Sequence, residues 1–150
     1  MTTEERLQDV KRLFLDSAPV IYAVEENLQY LPIVREIFER IENGLLIGVT
    51  SPVTLAECLV RPYRLEQINL QQQYMELFFN TENIIFEPII NSSIALDAAQ
   101  IRAKYNLQLP DAFQIAVALA ASCEAFLTND VVFKRITELQ VLLLEDINAI

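Results

Sequence analysis

Four acidic residues stand apart from the other charges of this 150-residue chain. Asp16 is the only charged residue between Leu13 and Val24. Glu57 is the only one from Ser51 to Val60, Asp111 the only one from Tyr105 to Cys123, and Asp130 the only one from Ala125 to Phe133. The chain has 21 acids in all. Most of the others sit among further charges, as in Glu4-Glu5 and Glu25-Glu26, and read as solvated surface. A carboxylate taken from water without a partner costs several kcal/mol, against a domain stability of only ~5–15 kcal/mol. Few basic residues lie near these four in sequence. A hard divalent cation with oxygen ligands would offset their repulsion. Lacking one, one or more of the acids is expected to hold a proton at raised pKa.

Absent residue types narrow the chemistry further. There is no histidine, which removes Ser-His-Asp and Cys-His catalysis, histidine-based RNA cleavage and histidine-containing zinc sites. Cys58 and Cys123 form no CxxC pair and are too few for a structural zinc site. With no export signal visible, reduced core cysteines are expected rather than a disulfide. No GxxxxGK[ST] or GxGxxG phosphate loop occurs. Hydrolytic chemistry would therefore run on carboxylates, hydroxyls and bound metal. The net charge of −10 sits badly with a nucleic-acid substrate. It reads either as plain solubility or, in part, as a metal site that inverts the local sign.

The elements that must position these acids follow from the hydrophobic pattern. Hydrophobic residues make up 53% of the chain, enough for a sizeable core and against disorder. The length suggests one domain over residues 1–150, with residues 1–11 as an N-terminal arm or short helix. No apolar run reaches the ~18 residues of a membrane span, and Met1 to Arg6 is polar, so a cytoplasmic protein with no membrane contact is expected. Short apolar strands are expected at Leu13–Leu15, Leu45–Val49, Ile84–Phe86, Ala125–Thr128 and Val141–Leu144. Helices are expected from Ser17 to Asn27, from Pro32 to the Asn43-Gly44 stop, and from Pro52 to about Val60, capped by Ser51 and ended by Arg61-Pro62. Further helices run from Leu65 to Phe79, from Ser92 or Ser93 to Tyr105, and from Leu109 to about Ser122, with a short helical turn from Val131 to Ile136. Continuously apolar strands alternating with helices point to a parallel sheet covered on both faces, a three-layer α/β/α sandwich.

Asp16 and Asp130 each follow a strand directly, where ligands bind in open parallel sheets. Asp111 lies in the first turn of an otherwise apolar helix. Glu57 lies on the helix after the second strand, on a face with Val53, Ala56 and Val60. Each has a second reading. Asp111 suits the positive end of its helix. Asp130 suits a turn or N-cap, and Asp16-Ser17 a capping pair. No cap or turn calls for Glu57 in mid-helix.

At these residues the chain resembles the PIN-domain family. The matching segments are Leu13-Phe14-Leu15-Asp16-Ser17, Val53-Thr54-Leu55-Ala56-Glu57, Leu109-Pro110-Asp111-Ala112-Phe113-Gln114-Ile115-Ala116-Val117-Ala118, and Phe126-Leu127-Thr128-Asn129-Asp130 with Phe133 after it. The last two together are fairly specific. The resemblance implies Mg²⁺- or Mn²⁺-dependent cleavage of RNA, with Asp16, Glu57, Asp111 and Asp130 on the acidic positions. It implies supporting roles for Ser17, Thr128 and Asn129. For so short a chain it implies the toxin of a VapBC-type toxin–antitoxin pair, a homodimer blocked by a cognate antitoxin. One departure is Ala18, followed by Pro19, where the family often has Asn or Ser.

On this expectation Asp16, Asp111 and Asp130 bind metal directly, with Glu57 acting through water or a second ion. Arg61, Arg64, Arg102, Lys104, Lys134 and Arg135 are candidates for a basic rim toward phosphates, or else ordinary solvated charges. The alternative is a PIN-fold RNA- or protein-binding module with weak or lost cleavage. A phosphoacceptor receiver would need clustered acids after the first strand and a lysine after the last. A haloacid-dehalogenase-like phosphatase would need Asp-x-Asp where Asp16-Ser17-Ala18 stands.

Overall fold

The computed structural model describes residues 1–88 and 91–148. Its strands are β1 (Arg12–Leu15), β2 (Ile47–Thr50), β3 (Ile84–Phe86), β4 (Ala125–Thr128) and β5 (Gln140–Leu143). They make one parallel sheet in the order β3-β2-β1-β4-β5. Seven α-helices lie among the described residues: α1 (Thr3–Arg6), α2 (Ser17–Val24), α3 (Leu31–Glu42), α4 (Pro52–Arg64), α5 (Ile68–Asn80), α6 (Ser92–Tyr105) and α7 (Leu109–Ala120).

Successive strand side chains point to opposite faces, and here both faces are covered. Leu13, Leu15, Ala125, Leu127 and Leu142 enter one core, with apolar residues of α2 to α5. Phe14, Val49 and Phe126 enter the other, with α6 and α7. This explains why the strands are apolar throughout rather than alternating. The register sets Phe14 beside Phe126, their rings stacked at 5.1 Å, and Leu15 beside Leu127. Chain order reverses between β1 and β4, so the switch in strand order falls at the centre of the sheet.

Several boundaries differ from expectation for identifiable reasons. Pro62 does not end α4; it is buried inside the helix, which continues to Arg64. The bond lost with its missing N–H is offset at the helix end. Leu65 donates to the Arg61 carbonyl at 2.9 Å, and the Pro62 carbonyl accepts from Gln67 N–H at 2.9 Å and from Gln71 Nε2 at 3.1 Å. The turn to α5 then uses Glu66 at φ 54°, so α5 starts at Ile68, later than expected. β2 starts at Ile47 rather than Leu45, whose side chain is exposed, and β5 is Gln140–Leu143 rather than Val141–Leu144. At the start of the chain, α1 is closed by a capping box between Thr2 and Glu5, and Leu7 and Val10 are buried, so this arm is packed rather than frayed. Cys58 and Cys123 are free and buried; burial pushes the Cys58 thiol far up and the Cys123 thiol to about 12. Among the described residues no helix is long and apolar enough to cross a membrane.

Gly48 on β2 has no room for a side chain between the neighbouring strands and α3. A Cβ there would stand 3.0 Å from Ile41 Cδ1 and 3.2 Å from Leu15 Cδ1. Gly48→Val is therefore expected to destabilise the fold by about 1–3 kcal/mol through overpacking, read as a lower urea midpoint; an unchanged midpoint would mean the two core residues can move aside.

Candidate active site

Asp16 follows β1 and is buried, 7% exposed. Its Oδ1 accepts from the Ser17 N–H at 2.9 Å and its Oδ2 from the Thr128 hydroxyl at 2.7 Å. Thr128, the last residue of β4, reaches Asp16 because the register pairs the residues just before them, Leu15 and Leu127. The same hydroxyl oxygen accepts from the Asp130 N–H at 3.1 Å, so Thr128 ties both strand-end acids together. Asp130 is exposed and caps the 3₁₀ turn Val131–Arg135 by accepting from the Val132 N–H at 3.0 Å. The capping roles foreseen for Asp16 and Asp130 are thus present, alongside their place at the switch in strand order.

Asp111 sits in the first turn of α7, partly buried, where no side chain caps the helix. The positive helix end lowers a nearby carboxyl's pKa. Asp111 is nevertheless pushed up to about 6, first by burial, then by the charges of Asp16 and Asp130. Burial and the neighbouring acids therefore outweigh the helix. Glu57 is raised for the same reasons: burial, then Asp16, then Asp111, opposed by the Ser17 hydroxyl. Asp16 is raised chiefly by burial, and by Asp130, against the hydrogen bonds of Thr128 and Ser17. Asp16 and Asp111 thus each lie within reach of other acids of the four at one edge of the sheet, Glu57 near Asp16 and Asp111, and Asp130 near the same two.

Two expectations need correction. α4 buries Thr54, Cys58, Leu59 and Pro62, so the face with Ala56, Glu57 and Val60 points to solvent rather than into the core. Desolvation is greatest at Asp16; the carboxylates of Asp111 and Glu57 are partly shielded, although Glu57 as a residue, like Asp130, is exposed. Nor do the six basic candidates form a rim of free charges. Lys104 pairs with Glu138 at 3.4 Å and Lys134 with Asp146 at 3.7 Å. Arg102 donates to the Leu107 carbonyl and Arg135 to the Val132 carbonyl. Arg61 and Arg64 are exposed on the last turn of α4.

The donor set is all oxygen, which fits a hard divalent cation. Among the described residues no three carboxylates gather closely enough to grip one ion by themselves. Mg²⁺ is commonly held by one or two carboxylates together with water and substrate phosphate, so this spacing fits an open site of that kind. A further oxygen, Asn129 Oδ1, is buried without a partner, while its amide nitrogen donates to the Tyr22 hydroxyl at 3.3 Å.

Sequence reading missed a buried polar group behind the acids: Ser51, Thr54 and Gln114, each fully buried. Ser51 was legible as the cap of α4, where it accepts from Val53 and Thr54 N–H at 3.2 and 3.4 Å. The one available signal for Gln114 was its position as the only polar residue in the run from Ala112 to Ala120.

Because the folded-state pKa of Asp111 lies above its ordinary value, protonation favours folding. This contribution is fully present below about pH 4 and is lost as pH rises through about 6. Asp111→Asn removes that dependence. At pH 8 without metal the variant is expected to be about 1–2 kcal/mol more stable than the parent, allowing for solvent screening of a partly exposed group. The gap should close by about pH 4. Urea midpoints at the two pH values check this; a variant less stable at pH 8 would make Asp111 a helix-end residue.

The fold recurs in known proteins. A chain of the Rickettsia felis VapBC2 complex, bound to a DNA fragment from its promoter, matches with a TM-score of 0.67 at 17% identity, over 87% of this chain and 97% of that one. A chain of a toxin–antitoxin complex from Klebsiella pneumoniae matches with a TM-score of 0.63 at 22% identity, over 88% and 97%. The Mycobacterium tuberculosis toxin VapC20, described as cleaving the sarcin–ricin loop, matches with a TM-score of 0.65 at 11% identity, over 85% and 98%. No curated protein sequence matches the chain. The PIN-domain family model matches residues 13–139, including all four acids. With that match spanning most of its length, the chain belongs to the PIN-domain family.

Proposed function

We propose that this PIN-domain protein is a divalent-metal-dependent endoribonuclease and the toxin of a type II toxin–antitoxin pair. One observation carries the reading. Asp16, Glu57 and Asp111, from the end of β1, α4 and α7, are all raised, first by burial, with a neighbouring acid of the four adding to it in each case. Structural ion-pair networks do not explain that pattern, because no basic side chain is paired with any of the four among the described residues.

Asp16 with Asp111 or Asp130 would hold Mg²⁺ or Mn²⁺ directly, the remaining acid and Glu57 acting through water. The ion supplies Lewis acidity toward a phosphodiester and lowers the pKa of a bound water. The protein's own groups do the rest. Ser17 N–H and the Thr128 hydroxyl fix both oxygens of Asp16. Asp111 is pushed up to about 6 without metal; a bound cation would bring it down again, so that it would meet the ion as a carboxylate. Ser17, beside Glu57, steadies its charged form. The partners we propose are an RNA substrate, a second copy of the chain and a cognate antitoxin; the toxin–antitoxin complexes of similar fold support the last of these.

A second reading, a PIN fold that binds but cleaves poorly, draws on two observations. Ala18 stands beside Asp16 in place of a polar residue. Two of the six basic side chains expected at the rim, Lys104 and Lys134, are paired with acids elsewhere. The two readings part in one assay. Purified chain with mixed single-stranded and structured RNA is expected to cut in Mn²⁺ or Mg²⁺, to stop with chelator, and to lose at least about 10²-fold in rate with Asp111→Asn. No metal-dependent cutting, or equal cutting by the variant, would leave the binding module.

A further inference from the structure

Gln114 is fully buried in the middle of an apolar helix. A buried amide left without partners bears its full desolvation cost, and here both ends are used between elements. Its Oε1 accepts from the Ser51 hydroxyl, and its Nε2 donates to Thr54 Oγ1 at 2.7 Å. Thr54 in turn donates to the Leu15 carbonyl at 3.2 Å. One side chain on α7 therefore ties the start of α4 to the end of β1.

The anchors of this network are adjacent to the acids in sequence. Gln114 lies one helical turn after Asp111, Thr54 one turn before Glu57, and Leu15 immediately before Asp16. Packing alone gives no reason for an amide, since neighbouring positions Ile115 and Val117 fill the same core with hydrocarbon. An apolar side chain of equal length would occupy the space and leave two hydroxyls without their partner.

We propose that Gln114 is a positioning residue for the acidic site: its amide locks α7 against α4 and the tip of β1, and so fixes how Asp111, Glu57 and Asp16 face a shared divalent cation. This rests on the nuclease reading above and adds to it a residue that touches neither RNA nor metal. Groups that orient metal ligands typically change metal affinity about 10–100-fold when removed.

The test needs no RNA. Mn²⁺ dissociation constants are measured by calorimetry on the full chain, with thermal midpoints recorded alongside. Gln114→Met keeps the length and removes both polar functions; Thr54→Val keeps the shape and removes the hydroxyl. Each is expected to weaken Mn²⁺ binding about 10–100-fold in a folded protein. The double variant should lose no more than the worse single one, because both act through one network. Val117→Ala, on the same helix but outside the network, is expected to lower the thermal midpoint and leave Mn²⁺ affinity unchanged. Parent-like binding by folded Gln114→Met would overturn the inference, as would multiplying losses or equal weakening by Val117→Ala. If Gln114→Met does not fold, Thr54→Val decides: parent-like binding there overturns the inference too. A parent that binds no Mn²⁺ removes the nuclease reading itself and this inference with it, whereas a parent that binds beside an unaffected variant removes the inference alone.

Discussion

A hydrogen bond between the Thr128 hydroxyl and the Asp16 carboxylate joins residues 112 positions apart. The site depends on that meeting. It exists because β1 and β4 are neighbours in the sheet although two strands and six helices separate them in sequence. The pairing stacks Phe14 on Phe126 in one core and sets Leu15 beside Leu127 in the other. With those four side chains in register, the next residue on each strand can only be Asp16 and Thr128, side by side at the carboxyl edge. A one-residue slip would exchange the two core faces and expose the phenylalanines to the wrong layer. The hydrophobic register and the position of the first acid are thus one constraint.

Around that fixed point the acids differ in how firmly they are held. Asp16 is buried and has both oxygens bonded. Asp111 is carried by the start of a helix whose other face is core. Glu57 and Asp130 stand at the exposed rim. The repulsion inferred from composition is therefore shared unequally. Burial is the first cause at Asp16, Glu57 and Asp111, and the neighbouring acids add to it. A graded site of this kind, rigid at one carboxylate and open at two, suits a cation that keeps water and takes further oxygens from its substrate. The negative charge that seems unsuited to RNA is then partly local to the place where an ion would reverse its sign.

The strands and most helices were legible because their apolar runs and caps are local signals. Ser51-Pro52 marks the start of α4, and Asn43-Gly44 the end of α3, where Gly44 takes φ +75°. The acids were legible because each is alone in an apolar stretch. What could not be read was decided by distant contacts. The apolar residues Val53, Ala56 and Val60 suggested a buried face on α4, yet Thr54 and Pro62 took the core instead. Thr54 finds its partners in Gln114 and the Leu15 carbonyl, and Pro62 finds bonds for its carbonyl beyond the helix. Gln114 was passed over because its partners lie 60 and 63 residues away. The basic side chains look like a rim in sequence, but Lys104 and Lys134 have acids of their own nearby in space.

Whether these carboxylates act as one centre is answered most directly by locating an ion among them. Crystals of the chain grown with Mn²⁺ and measured at the manganese absorption edge should show an anomalous peak within ligand distance of Asp16 and of Asp111 or Asp130. Such a peak is what a cation site among these acids requires. A saturated crystal with manganese bound elsewhere, and none between the tip of β1 and the start of α7, would contradict it.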